Sequence, residues 1–491
     1  MYNISINAKP YYNTDQVANS IASNDMFDCY LEPVPDIGLV TRRRPGMTLF
    51  TDLSTGAKGD GLFYWEAMNM VIAVSDGRVF HLHEGGSFDE LTGEQCIGGV
   101  TCTFSPGQLL NGDPWLYIAS GKLIYTTDGL TTIAPTDPNT PAATHVAWLN
   151  SKFIANVPES NQFLFTDTNP ATNLIENDYW SSVDNPVTCE TKGDHLESLM
   201  VAWNEVYAWG TEGLQIFQDD GVTPFVNIPG AFAEAGIEAV YSVIRSDNTI
   251  FALCVIDGKR CVVRFEGRTP KIVSEPIARI LAELPTASDA LGSIISVGGI
   301  AIYLLQFPSA GQTWAYDFKN DTWSRWGYWN HIKGEHDNFI GQHSCFAKTW
   351  NKHLIMSRID GKIYELSRDV FTDDGNEIVS FRRTGWIDHG NAWKRKRSDQ
   401  FYMKCKVKEQ VIDPATGEIE KVTMLLRWRD NGNPVWSSYV EIPLNPDYQG
   451  DCLVKMNRFG MYRSRQYEFR LSDNIDMVLV GATETVTELR N

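Results

Sequence analysis

The sequence has 491 residues, a length that at ~150 residues per domain allows about three domains, or one large repeating domain with an appendage. Its 42 Lys and Arg stand against 61 Asp and Glu, and the net charge of −19 excludes a protein that holds nucleic acid by overall cationic attraction. A hydrophobic content of 43% excludes wholesale disorder, and 57 aromatic residues (15 Trp, 19 Tyr and 23 Phe) with 39 Gly favour a β-rich chain with many tight turns.

From the N-terminus, residues 1–25 are mostly polar and carry no cationic-then-apolar signal peptide. No run of about 18 apolar residues follows, so no membrane insertion is expected. A basic cluster, Arg42, Arg43 and Arg44, lies within TRRRPG. It reads as a solvated face or as a contact with an acidic partner surface or DNA phosphates.

A repeat then begins. Its unit is a short apolar stretch, a turn, and a second stretch with a central aromatic, as in VIAVSDGRVFHL (71–82) and VYAWGTEGLQIFQDDG (206–221). The central aromatics are Phe80, Tyr125, Phe165, Phe217, Phe265, Tyr316 and Tyr364, spaced by 45, 40, 52, 48, 51 and 48 residues. A period of forty to fifty residues with three or four strands per period is the signature of a propeller blade. Single blades leave faces and edges open, and closing them into a ring covers both. Gly77, Gly121, Gly213, Gly258 and Gly361 fit hairpin turns that need positive φ.

Within SEPIARILAELPTASD, Ile277, Ile280, Leu281 and Leu284 fall at helical spacing, Ser274 can cap the start and Pro285 ends the run. This helix is expected on the rim of the ring or at a partner surface. His331, His336 and His343 cluster near Glu335 and Asp337, and read as a polar loop rather than a metal site. Asp219–Asp220 and Asp373–Asp374 read as turn residues rather than as a glycosidase pair.

Beyond residue 380 the repeat stops and the charge changes. Residues 381–491 hold 18 Lys and Arg against 15 Asp and Glu, a net of +3, leaving −22 for residues 1–380. The tail still reads as strands and carries the second basic cluster, Lys394, Arg395, Lys396 and Arg397, with the same two readings as the first. The nine cysteines are odd in number, widely spaced and without a CxxC, which argues for buried free thiols in a reducing compartment. No GxSxG, P-loop, dinucleotide turn or HExxH occurs. TTDGLTT (126–132) and RWRDNGNPVW (427–436) are similar to the structural Asp-and-Gly turns of sialidase-type propellers. The chain is therefore expected to be all-β: an N-terminal arm and first strand (1–50), a β-propeller of six or seven blades (51–380), and a C-terminal β-domain, tip or sandwich (381–491). No cofactor, metal or catalytic residue is expected.

Three stretches carry a family resemblance. In MFDCYLEPVPDIGLVTRRRPG (26–46), Tyr30, Glu32, Pro45 and Gly46 fill an opening pattern in which Asp28 stands at the place of an asparagine. In GTEGLQIFQDDGVTPFVNIPGAFAEAGIEAVYSV (210–243), Glu212, Gly221, Pro224, Phe225, Gly230, Gly236 and Ser242 fall in the family's order. YDFKNDTWSRW (316–326) continues it. The chain resembles the tail-nozzle, or packaged-DNA-stabilisation, proteins of short-tailed bacteriophages. The resemblance implies a propeller with a distal β-domain, assembled in host cytoplasm into a hexameric ring of the virion tail. Such a ring sits below portal-adaptor proteins, meets tail fibre, spike or needle proteins, retains packaged DNA, and passes double-stranded DNA at ejection. A propeller-fold tail glycan hydrolase or lyase, and a protein-binding propeller scaffold, are the alternatives.

Overall fold

The computed structural model describes all residues except 13–23, 110, 173, 182–185, 191, 222–224, 247, 408–421, 448 and 490–491. Pro224 of the resemblance pattern lies outside the described residues.

Seven sheets follow one another along the chain. Blade one is Gly59–Trp65, Met70–Ser75, Arg78–Leu82 and Phe88–Glu90, an antiparallel meander. Blades three to six repeat it over 146–188, 196–233, 236–272 and 291–338, while blade two has the three strands Thr103–Gln108, Pro114–Ala119 and Leu123–Thr126, with Ile133 bridged to Tyr125 and Thr131–Thr132 paired in parallel with Thr92–Gly93. Blade seven takes Gly341–Ala347, Lys352–Ser357 and Lys362–Ser367 from late in the chain, and its outer strand, Gly46–Asp52, from the beginning. The seven aromatic landmarks of the repeat occupy the third strand of the seven blades, and all are buried. The period therefore reports the blade directly, and the count is seven.

Each pair of neighbouring blades shares an apolar core. Tyr117 of blade two meets Phe153 and Trp180 of blade three with ring centroids 4.7 and 5.8 Å apart. The last core closes the ring: Leu62, Ala73 and Phe80 of blade one pack on Leu354, Met356 and Ile363 of blade seven. Burial of large aromatic and aliphatic faces on both sides of every sheet is what a lone blade cannot achieve.

Two hairpins form as their Asp-Gly pairs demand. Asp76–Gly77 (φ +53° and +74°) and Asp257–Gly258 (φ +51° and +71°) both place two successive residues in the left-handed region, the requirement of a type I′ turn. Gly213 and Gly361 differ from expectation, since neither has positive φ. They are sites of close approach: a Cβ would stand 2.6 Å from the Phe232 ring and 2.4 Å from Thr55 Oγ1, respectively.

The helix is shorter than its pattern. A 3-10 turn, Glu275–Ile277, leads into Ala278–Glu283. The Ser274 side chain does not cap it; its Oγ accepts the Val262 N–H of blade five at 2.9 Å. Ile277, Leu281 and Leu284 lie in the core between blades five and six, which places the helix inside the blade packing rather than at a free surface.

The rest is a β-sandwich built from both chain ends. One sheet joins Cys29–Val34, Gly38–Arg43, Met477–Glu488, Lys396–Val407 and Asp451–Tyr462, with Tyr2–Ile4 on its margin. The other continues the sheet of blade six through Asp25–Phe27 to Ser380–Arg383, Arg465–Leu471, Thr423–Asp430 and Val440–Pro443. Ile4, Phe401, Met424, Phe469 and Leu479 share the core between them. The expected arm 1–50 is thus divided, Tyr2–Ile4, Asp25–Phe27, Cys29–Val34 and Gly38–Arg43 serving the two sandwich sheets and Gly46–Asp52 serving blade seven. Among the described residues no helix is long and apolar enough to cross a membrane.

Candidate nucleic-acid and partner interface

The axis of the propeller is a cavity of about 680 Å³, lined by the first strands of all seven blades. Its lining carries neutral polar side chains, among them Ser105, Ser198 and Ser293, and, among the described residues, one cation, Arg245. His145 and His343 are pushed down to about 4 by burial, so both imidazoles are uncharged at neutral pH. His145 stacks on Tyr241 with centroids 5.3 Å apart. Among the described residues no Asp or Glu lines the cavity.

The first basic cluster is mostly consumed inside the molecule. Arg42 remains part-exposed and pairs with Glu32 at 3.2 Å. Arg43 is buried, donates to the carbonyls of Ile378 (2.6 Å), Ile475 (3.1 Å) and Asp473, and is pushed down to about 10 by burial. Arg44 is fully buried. Its Nε donates to Asp28 Oδ1 at 2.7 Å, and its two terminal nitrogens grip both Asp373 oxygens at 2.8 and 2.5 Å. Burial opposes this charge, but Asp373 and Asp28 outweigh it and hold the guanidinium above its usual range. Arg43 and Arg44 are therefore structural ties and unavailable to a phosphate. Asp28, the departure from the family pattern, is the second partner of that tie.

The second cluster divides by strand alternation. Lys396 opens the strand Lys396–Val407 and points inward, where Nζ donates to the carbonyls of Arg463 (2.9 Å), Lys394 (3.2 Å) and Asn391. Burial lowers its pKa, and no surface contact is open to it. Lys394 pairs with Glu488 at 2.9 Å and Arg397 with Asp399 at 2.7 Å, both exposed. Arg395 is exposed beside Trp393.

The fold assembles a third basic surface that no run of charge announces. On the outer face of the second sandwich sheet, Arg383, Glu468 and Arg427 stand in one cross-strand row. Arg383 and Arg427 reach Glu468 at 2.5 and 2.6 Å. Arg429, two residues on, and Arg470 extend the face. Aromatic rings interleave with these cations. Trp436 lies 4.7 Å from Arg429, 4.9 Å from Arg427 and 5.5 Å from Arg383, Tyr439 lies 4.5 Å from Arg427, and Trp329 lies 4.8 Å from Arg470. Burial pushes the Arg429 guanidinium down, and Arg383 and Arg427 add to the effect while Glu468 opposes it. Four guanidiniums set against two carboxylates, Glu468 and Asp25 (3.3 Å from Arg383), leave a local excess of positive charge on an acidic molecule, packed among aromatic rings. That is a surface suited to anionic groups.

The histidines singled out by sequence go separate ways. His331 lies 3.5 Å from Glu377, His336 Nε2 donates to the Val379 carbonyl (2.7 Å) near Asp28, and His343 lies at the cavity. Asp219 pairs with Lys152 at 3.1 Å and caps a turn at Gly221, while Asp373 is the buried partner of Arg44. Asp128 accepts the N–H groups of Leu130 and Thr131, the turn role expected of TTDGLTT, whereas Asp430 pairs with Arg465 at 2.6 Å.

Comparisons complete the picture. Solved structures with similar folds include the extracellular domain of the hybrid two-component system BT4673 of B. thetaiotaomicron (10% identity, 81% of this chain, 47% of that one, TM-score 0.41). The Neurospora crassa Pan2 WD40 domain (10%, 67% and 95%, 0.39) and the N-terminal domain of Nup159 (12%, 70% and 99%, 0.39) are others. The chain spans under half of the first of these, and likenesses at this level carry no functional argument. No curated protein matches the chain by sequence. A family model described as bacteriophage P22 Gp10, beta-propeller, matches residues 38–371, about two-thirds of the chain and a span that holds all seven blades. The stretch 26–37, where the resemblance opens, lies before it. With that match seated on a closed seven-bladed ring, the chain belongs to the phage-stabilise family of β-propellers.

Proposed function

We propose that the chain is a structural virion protein without enzyme activity, copies of which form a ring-shaped tail nozzle that continues the DNA channel, retains packaged DNA and passes it at ejection. The observation that carries this reading is the phage family match over the propeller. The size of the central cavity supports a channel between copies rather than through the axis of one propeller. B-DNA carries grooves about 8 Å deep on two sides and takes about 34 Å per turn, so one turn fills several thousand Å³. A cavity of about 680 Å³ excludes it. The duplex would therefore pass between copies of the chain, along faces of a body whose residues 1–380, the propeller and the N-terminal sandwich strands together, carry a net charge of −22 that repels phosphate and favours transit over retention by contact.

The arginine–aromatic face of the sandwich is the part suited to an acidic neighbour, either the propeller of another copy or an adaptor protein. Lys394, Arg395 and Arg397 extend the basic character of that domain. A glycan-cleaving role is disfavoured, since the axial cavity offers no pair of carboxylates among the described residues. Electron microscopy of the purified chain, alone and with the adaptor complex, tests the reading. A six-fold ring with an open lumen supports it, and a monomer that cleaves capsular polysaccharide overturns it.

A further inference from the structure

The outer corner of blade one holds a cluster that the nozzle reading does not use. His81 and His83 alternate along the third strand and its extension, so both imidazoles fall on one face. Asp89, on the fourth strand, is the direct cross-strand partner of His81 and shares that face. One donor atom from each residue lies within 4.8 Å of the other two. His83 Nε2 and Asp89 Oδ2 are 2.8 Å apart, and the His81 and His83 ring centroids are 4.5 Å apart.

His81 is the telling member. The residue is only 9% exposed, and its buried Nδ1 has no hydrogen-bond partner. A half-satisfied imidazole grouped with a second imidazole and a carboxylate, one ligand atom from each within 4.8 Å of the others, is an arrangement that a cation would complete.

We propose that His81, His83 and Asp89 form a binding site for a divalent transition-metal ion of the zinc class. Two imidazoles and one carboxylate suit a borderline ion, and the hard alkaline-earth cations prefer all-oxygen shells. A tetrahedral zinc ion at about 2.0–2.1 Å from its ligands holds them about 3.3 Å apart, so rotamer changes that move donor atoms by about 1.5 Å close the site. The fourth position faces solvent, because the His83 and Asp89 side chains are 42% and 68% exposed. The ion would add a tie between the outer edge strand Phe88–Glu90 and its neighbour, beside three ladder pairs and the Arg78–Glu90 ion pair.

The test uses the full chain, stripped with chelator and titrated with Zn²⁺ by calorimetry and with Co²⁺ by visible absorption. One equivalent per chain is expected, with cobalt ligand-field bands of a nitrogen- and oxygen-ligated site. His83→Ala and Asp89→Asn each weaken binding about tenfold or more, while His331→Ala leaves it unchanged. Both substituted side chains are part-exposed, and circular dichroism with the apo-protein melting temperature establishes that the variants are folded. Absence of saturable zinc binding by the wild-type chain overturns the proposal, as does undiminished binding by a folded His83→Ala, Asp89→Asn double variant.

Discussion

Arg44 and Asp373 meet through two parallel hydrogen bonds in the dry interior where blade seven, blade six and the sandwich converge. The same guanidinium donates to the Gly327 carbonyl of blade six at 2.9 Å and to Asp28, which links the sandwich strands Asp25–Phe27 and Cys29–Val34. Three parts of the molecule are thereby fixed by one side chain.

Removal of one partner leaves the other charged and buried. Asp373→Asn or Arg44→Met is expected to cost about 3–5 kcal/mol, and Arg44→Lys nearly as much because an ammonium cannot make the bidentate contact. Urea unfolding monitored by tryptophan fluorescence checks this, and a loss under about 1 kcal/mol for Asp373→Asn would contradict the assignment of the pair as a structural tie.

Charge in the second basic cluster should separate by position. Lys396→Ala leaves three backbone carbonyls without their donor and is expected to cost about 1–3 kcal/mol. The triple change Lys394→Ala, Arg395→Ala, Arg397→Ala should stay within about 1 kcal/mol of wild type, since its contacts are exposed. Thermal unfolding of the two proteins side by side decides it.

The arginine–aromatic face is expected to matter for assembly and little for folding. Arg429→Glu with Arg470→Glu should leave the melting temperature within a few degrees yet reduce association with the acidic neighbour about tenfold, or roughly 1.4 kcal/mol. Incorporation of the variant into tails during phage growth gives the readout. Normal incorporation at physiological salt would remove this face from the interface.

Stability should rise with pH between about 4 and 6.5. His145 and His353 are held at about 4 by burial, below the ordinary histidine value near 6.5, so the folded chain binds fewer protons than the unfolded one across that window. Their contribution is complete above about 6.5 and is lost as pH falls towards 4. Neither ring nitrogen of His353 has a hydrogen-bond partner, and its ring lies near Phe346 with centroids 6.4 Å apart. His353→Phe should therefore flatten the slope of stability against pH, by at most about 3 kcal/mol across the window. An unchanged slope would show that His353 is not the titrating group.

Much of the ring was legible because the third strand of each blade carries one large aromatic, and the spacing of Phe80, Tyr125, Phe165, Phe217, Phe265, Tyr316 and Tyr364 tracks the blades through loops of unequal length. The interaction surfaces were not legible, for a geometric reason. Runs of adjacent charge are poor guides in a strand, where alternate residues face opposite sides; Lys396 lies inside while Arg395 and Arg397 lie outside. Arg383, Arg427, Arg429 and Arg470 come from three strands, and only sheet register brings them together. The strand Asp451–Tyr462 carries a weak signal in the sequence because Arg458, at φ +63°, and Gly460 interrupt its alternation beside a register shift. The pair His81 and His83 did carry a signal, a His-x-His within an apolar strand, but its third member is supplied by a cross-strand contact.

The closure of blade seven has a temporal side. Leu49 pairs with Tyr364, about 315 residues later in the chain. At a synthesis rate of about 5–20 residues per second, the outer strand leaves the ribosome about 15–60 s before its partner exists. During that interval the nascent chain carries an unmatched strand at its leading end, and nearly every other blade can form before the ring locks. Chaperone capture of that leading segment, and swapping of it between neighbouring chains on one polysome, are hazards inherent in a wheel whose first-made piece is its last to be fastened.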